Sequence, residues 1–152
     1  MKATTNQIPV AAKSILSFMG VFTAVSPYLA DWNITHIYNP IWPPHAKFHN
    51  AQTMVLGALL GLLTLYVLWI RSSVNALQRL HEAAVLVSLY WVSQLPAILF
   101  PGTKLVDPGM IHTKMPVFFG IQFNQLAMDI IILFPLIIIA WYSGYKKLKQ
   151  IN

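Results

Sequence analysis

His45, His49 and Gln52 follow Pro44 at spacings that invite chemistry. If Pro44 opens a helix, where its missing N–H costs nothing, the three side chains fall at i, i+4 and i+7 on one face. Two histidines one helical turn apart can grip a divalent metal ion or pass a proton. Ala46, Lys47 and Phe48 stand between them, so the glutamate base of the H-E-x-x-H metalloprotease pattern is missing. The competing reading leaves both rings among lipid headgroups, bonded to backbone, water or phosphate. A second set is Gln122, Gln125 and Asp129, spaced i, i+3 and i+7. Asp129 lies inside an apolar run, where a carboxylate costs about 2.5–3.5 kcal/mol on insertion scales. Such a group belongs in a bundle interior or a wet cavity. There it can act as a general acid or base, or serve as a structural partner of Ser, Tyr or His. Asn39 and Trp42 in a proline-rich loop, with Tyr90 and Gln94 on a third apolar run, complete the candidate set.

The elements that must position these residues follow from apolar runs at about residues 14–30, 51–70, 83–100 and 116–142. Each has about the length a helix needs to cross a bilayer. The runs are continuous, not alternating, so helices are expected and barrel strands are not. Short connections make neighbouring helices antiparallel. The expected fold is all-α, an integral membrane four-helix bundle forming a single domain over residues 1–152. Gly57 and Gly61 form a G-x-x-x-G pair that suits close packing within that bundle. Pro135 should kink the fourth helix. Trp32, Trp42, Trp69, Trp141 and Tyr142 fall near the run ends, as interfacial anchors do. The first run has the outline of a signal peptide, but cleavage after Ala30 would place the large Tyr28 at −3, so retention is expected.

Composition agrees with a lipid environment. Hydrophobic residues make up 57% of the chain and charged residues only 9%, against about 25% charged in soluble domains. Disorder is excluded by the same arithmetic. The absence of cysteine removes disulfides, thiolate metal sites and cysteine nucleophiles. No G-x-S-x-G elbow supports a serine nucleophile.

The net charge of +6 describes orientation more than a partner. With four spans, Lys2, Lys13, Arg71, Arg79, Lys146, Lys147 and Lys149 share one side, and Lys47, Lys104 and Lys114 share the other. The positive-inside rule then places both termini in the cytoplasm of a multi-pass protein, in a bacterial inner membrane or a eukaryotic endomembrane. No basic face with interleaved aromatics suggests nucleic acid. His81 and Glu82 should begin the third helix on the cytoplasmic side, where Glu82 would offset the helix dipole. The same topology gathers His45, His49, Gln52, Tyr90, Gln94, Gln122, Gln125 and Asp129 in the outer half. The loops add Asp31, His36, Asp107 and His112. A polar pocket opening outward between helices is expected.

The stretch Asn39-Pro40-Ile41-Trp42-Pro43-Pro44-His45-Ala46-Lys47-Phe48-His49 resembles the signature of a small, poorly characterised family of four-span bacterial and fungal membrane proteins. In that family an Asn-Pro-x-Trp-Pro-Pro-His-Ala-x-Phe-His segment precedes the second span. The resemblance implies a four-span fold and a membrane address, and brings no activity with it. In architecture alone the chain also looks like DoxX-like proteins and emopamil-binding-protein-like sterol isomerases.

Three functions fit these residues. One is a membrane-embedded enzyme acting on a lipophilic small molecule. Asp129, His49 and His45 would be catalytic, with a divalent metal at His45 and His49 as one option. Gln52, Gln122, Gln125, Asn39, Trp42, Tyr90 and Gln94 would hold the substrate. The alternative is a non-catalytic subunit that binds a quinone, lipid or other small molecule, or serves a larger complex. The third is a proton-coupled carrier with Asp129 and His49 as relay. Expected partners are the lipid bilayer and a lipophilic small molecule, with the oligomeric state left open.

Overall fold

The computed structural model describes residues 6–105, 117–118 and 120–151. Helix α1 runs Val10–Asp31 and α2 runs Pro44–Trp69, with Pro44 in the first turn as the spacing predicts. Helix α3 spans Ala76–Ala97, and its cap residue Asn75 accepts a hydrogen bond from the Gln78 N–H at 2.8 Å. A short antiparallel pair follows, β1 (Val117–Phe118) with β2 (Ile121–Gln122). Gly120 turns the chain between them at φ +80°, a value that favours glycine. The last helix starts as α4 (Gln125–Met128), passes through a π-helical stretch (Asp129–Leu133) and continues as α5 (Phe134–Ile151).

The last helix differs from the expected run at both ends. It starts at Gln125, not near residue 116, because the Asn124 side chain caps it by accepting from the Ala127 N–H at 2.9 Å. Gln122 therefore lies on β2 and shares no helical face with Gln125 and Asp129. Pro135 acts through a π-helical register. Its missing N–H leaves the Ile131 carbonyl without the usual donor, and the Phe134 N–H reaches back five residues to the Asp129 carbonyl. The start of α3 is also earlier than expected. Asn75 caps it, so His81 and Glu82 lie in its second turn and do not begin it. Glu82 accepts instead from Arg71 Nη1 at 2.6 Å and from Gln78 Nε2 at 3.0 Å. Lys2, Asp107, His112 and Lys114 lie outside the described residues.

The helices carry apolar side chains outward as well as inward. Leu59, Leu62 and Leu63 on α2, Val85 and Leu89 on α3, and Ile138 and Ile139 on α5 are exposed, while Leu16, Leu68, Leu80 and Val87 are fully buried. A helix in water would present a polar outer face. Helices α1, α2 and the combined Gln125–Gln150 helix are long and apolar enough to cross a membrane. Helix α3 falls short of that standard because Arg79, His81 and Glu82 occupy its first two turns. Three such spans are thus shown where the runs predict four.

Helix α1 packs on α2, α2 on α3, and α5 on both α1 and α3. The G-x-x-x-G pair makes the first of these contacts. A Cβ at Gly61 would meet the Gly20 carbonyl and the Ala24 backbone, and one at Gly57 would meet the Thr23 carbonyl at 2.9 Å. Close approach within one chain is the use of both glycines. Each helix buries one stripe: Leu16, Met19, Thr23 and Pro27 on α1; Met54, Gly57, Gly61, Thr64 and Leu68 on α2; Leu80, Ala83, Val87 and Trp91 on α3. Leu133, Ile137, Ala140 and Leu148 close the core from the last helix.

Candidate functional site

Each buried stripe turns polar at the same end of the molecule. On α1 the step from Pro27 leads to Asp31. On α2 the step back from Met54 leads to Asn50. On α3 the step from Trp91 leads to Gln94, and on the last helix Asp129 is preceded by Gln125. Residues three and four apart share a helix face, so these polar groups inherit the inward direction of the apolar stripe. They meet around a cavity of about 450 Å³ lined by Ser26, Asp31, His36, Asn50, Tyr90, Trp91, Gln94 and Gln125 among others. That volume lies within the range of small-molecule sites.

The floor is aromatic. Trp91 Nε1 donates to the buried Thr23 Oγ1 at 2.9 Å, and Phe22 stacks on the Trp91 ring at 5.6 Å. The rim is hydrogen-bonded. Asn50 Nδ2 donates to Asp31 Oδ2 at 2.6 Å, tying α2 to the end of α1. His36 Nε2 stands 3.7 Å from Asp31 Oδ1, and its Nδ1 lies 2.7 Å from Thr35 Oγ1. Gln125 Nε2 donates to Gln94 Oε1 at 2.7 Å across α3 and α4. Two lining atoms are buried with no partner among the described residues, Ser26 Oγ and Asn50 Oδ1. Among the described residues the lining includes one carboxylate, Asp31, and no Lys or Arg. Asp31, Asn50 Oδ1 and Ser26 Oγ can all accept hydrogen bonds there.

Asp129 lies one turn beyond Gln125, where the π-helical stretch begins. It is fully buried, and neither carboxyl oxygen has a hydrogen-bond partner among the described residues. Burying a carboxylate without a partner costs several kcal/mol.

The other expected residues lie elsewhere. His45, His49 and Gln52 share an exposed face of α2, outside the cavity lining. They form a short chain, with His45 Nε2 at 3.1 Å from His49 Nε2 and His49 Nδ1 at 3.1 Å from Gln52 Oε1. Asn39 shapes its own loop, donating to the Thr35 carbonyl at 2.9 Å and accepting from the Ile41 N–H at 3.0 Å. Trp42 sets its ring edge-to-face with His36 at 5.2 Å. The Gln122 side chain lies outside the described residues. The structure therefore brings Tyr90, Gln94 and Gln125 together at the cavity with the loop residues Asp31 and His36, and it adds Ser26, Asn50 and Trp91. The sequence carries a signal for Asn50. Extending the Gly61–Gly57 stripe back through Met54 reaches Asn50, whereas the histidine face runs beside that stripe.

A model of a family of unknown function, DUF6640, matches residues 15–129. That is most of the chain, and the protein belongs to this family. No curated protein and no solved structure matches it, and the likeness to DoxX-like and emopamil-binding-protein-like proteins gains no support.

Proposed function

We propose that this DUF6640 member is a four-span membrane protein that binds a lipophilic small molecule in the cavity at the polar end of its helices. The ligand's apolar body rests on Trp91 and the helix walls. Its polar end donates hydrogen bonds, or carries positive charge, among Asp31, Asn50 and Ser26. One observation carries this reading: four inward stripes change from apolar to polar at one level and leave two buried atoms there without a partner among the described residues. Buried polar atoms in native proteins nearly always find partners, and a ligand can supply them.

Helix α3 serves as the fourth span. Its 22 residues extend about 33 Å, enough for a hydrocarbon core of about 30 Å. Lys13, Arg71, Arg79 and the Lys146–Lys149 tail then face the cytoplasm, and the cavity opens on the opposite side. A reporter fused after Asn152 tests this orientation. Activity of an extracytoplasmic reporter there overturns it.

The ligand reading is tested by mass spectrometry of small molecules that co-purify with the chain in mild detergent. A molecule retained by the wild type and lost from Asp31→Asn with Gln94→Ala supports the cavity. Equal retention by the variant removes it. A second reading, acid–base catalysis on that molecule, is favoured by the Asp31–His36 pair at the rim. It predicts that the molecule is converted by the wild type and bound unchanged by His36→Ala.

A further inference from the structure

The His45–His49 pair stands outside the cavity and has no part in the ligand reading. We propose that it is a two-point site for a divalent transition-metal ion, copper or zinc, held on the outer face of α2. The two Nε2 atoms face each other at 3.1 Å. An ion about 2.0–2.1 Å from each nitrogen would see them at an angle of about 100°, between octahedral and tetrahedral values. The two rings are steeply inclined, with centroids 4.5 Å apart and planes at 80°, so neither ring covers the other's Nε2.

The surroundings favour an ion at that point. Gln52 Oε1 stands 3.1 Å from His49 Nδ1. An N–H on Nδ1 donates to that oxygen and leaves Nε2 bare, the tautomer that metal-binding histidines adopt through such outer partners. Phe48 lies parallel to the His45 ring at 6.1 Å and 7°, which restrains its orientation. Both histidines are exposed, so an ion can enter without opening the helices. No group of three or more His, Cys, Asp or Glu suited to a metal exists among the described residues. The remaining coordination positions are open to water, as in sites where a metal exchanges or activates a ligand and unlike closed structural sites.

A single proton shared between the two rings would give the same geometry, and a metal titration separates the two. The purified chain in detergent is dialysed against CuCl2 or ZnCl2 alone, and bound metal is counted. About one ion per chain is expected, with copper held more tightly than zinc. Binding disappears in His45→Ala and in His49→Ala, and weakens about 10–100-fold in Gln52→Ala. His36→Ala and His112→Ala leave it unchanged. The electron paramagnetic resonance spectrum of the copper form shows two nitrogen ligands. All substituted α2 side chains are exposed, and an unaltered helical circular dichroism spectrum confirms the fold. Wild-type binding no greater than that of the double histidine variant overturns the proposal and leaves the shared proton. Loss of the ion in His36→Ala or His112→Ala, with retention in His45→Ala, overturns it as well.

Discussion

The two halves of this helical protein solve the same packing problem to different degrees. In one half Gly144 packs on Leu80 and Ala12 beside the buried Leu148, and most polar groups find partners. Arg71 pairs with Glu82, Trp141 Nε1 donates to His81 Nδ1 at 2.9 Å, and the buried Arg79 donates to the Asn6 carbonyl. Lys13 Nζ lies 3.5 Å over the Trp69 ring, where cation–π attraction holds it. In the other half the same stripes end in amides, carboxyls and a cavity. Five buried side-chain polar atoms lack a partner among the described residues, and all but Arg79 Nε lie in this cavity half. A native chain commonly gives up stability where it binds or reacts. The deficit falls where the proposed ligand site lies, and substitutions in each half should differ in sign as well as size.

The largest effect is expected in the closed half, from Gly61→Ala. The added Cβ meets the backbone of α1 at Gly20 and Ala24, and backbone cannot rotate away. Helices α1 and α2 must separate, at a cost of about 3 kcal/mol, the upper end for overpacking. Thermal unfolding in detergent, read by circular dichroism, checks this. A melting temperature equal to the wild type would show that the helix pair is looser than described.

Asp129→Asn should act in the opposite direction. The change keeps the shape and replaces an ionisable group that is fully buried with no partner among the described residues. A gain of about 1–2 kcal/mol is expected in the ligand-free protein. A loss of stability would mean that Asp129 already has a partner and would erase part of the contrast between the halves. Gly144→Ala, back in the closed half, is a smaller test. Its Cβ meets Leu80 Cδ2 at 2.9 Å and Ala12 Cβ at 3.0 Å. These are side-chain atoms, and Leu80 can shift a little. The helical gain of Ala over Gly, about 1 kcal/mol, offsets part of the overpacking, leaving about 1 kcal/mol of net destabilisation.

These asymmetries were only partly legible in the sequence. The apolar runs announced helices, and Pro44 announced the start of α2, because both depend on local composition. The G-x-x-x-G pair announced a close approach, and α1 proved to be its partner. Helix ends were less legible. The caps at Asn75 and Asn124 each depend on one side chain turning back to a backbone N–H, and neither is marked by a change in hydropathy. Hence α3 begins earlier than its apolar run and the last helix begins later. Tyr90, Gln94 and Gln125 were picked out as polar interruptions of apolar runs, and they do line the cavity. Asp31 is expected at the outer pocket only as one of several loop residues, and Asn50 beside the same loop carries no such signal. Their direction is fixed only once the glycine stripe of α2 is extended by one turn. The His45–His49 spacing was conspicuous, yet helical spacing fixes which residues share a face and not whether that face points inward.

The smallest stability effect should come from Ser26→Ala, and it is the most discriminating. Ser26 Oγ is buried at the cavity and has no partner among the described residues. Deleting it removes no bond that holds the fold and spares the burial of an unpaired hydroxyl, so stability should hold or rise by less than about 1 kcal/mol. If the cavity is the ligand site, that oxygen bonds the ligand, and its loss should weaken binding about 2–10-fold. Ser88→Ala provides the comparison. Its hydroxyl donates to the Ala84 carbonyl at 2.7 Å and does not line the cavity, so ligand affinity should be unchanged. Retention of the co-purified molecule, measured across both variants by mass spectrometry, reads the difference directly. If the two serines behave alike, the unpaired atom at Ser26 is only a packing fault, and the polar end of the molecule needs another explanation. If only Ser26 matters, a hydroxyl that does nothing for the fold is retained for what the cavity holds.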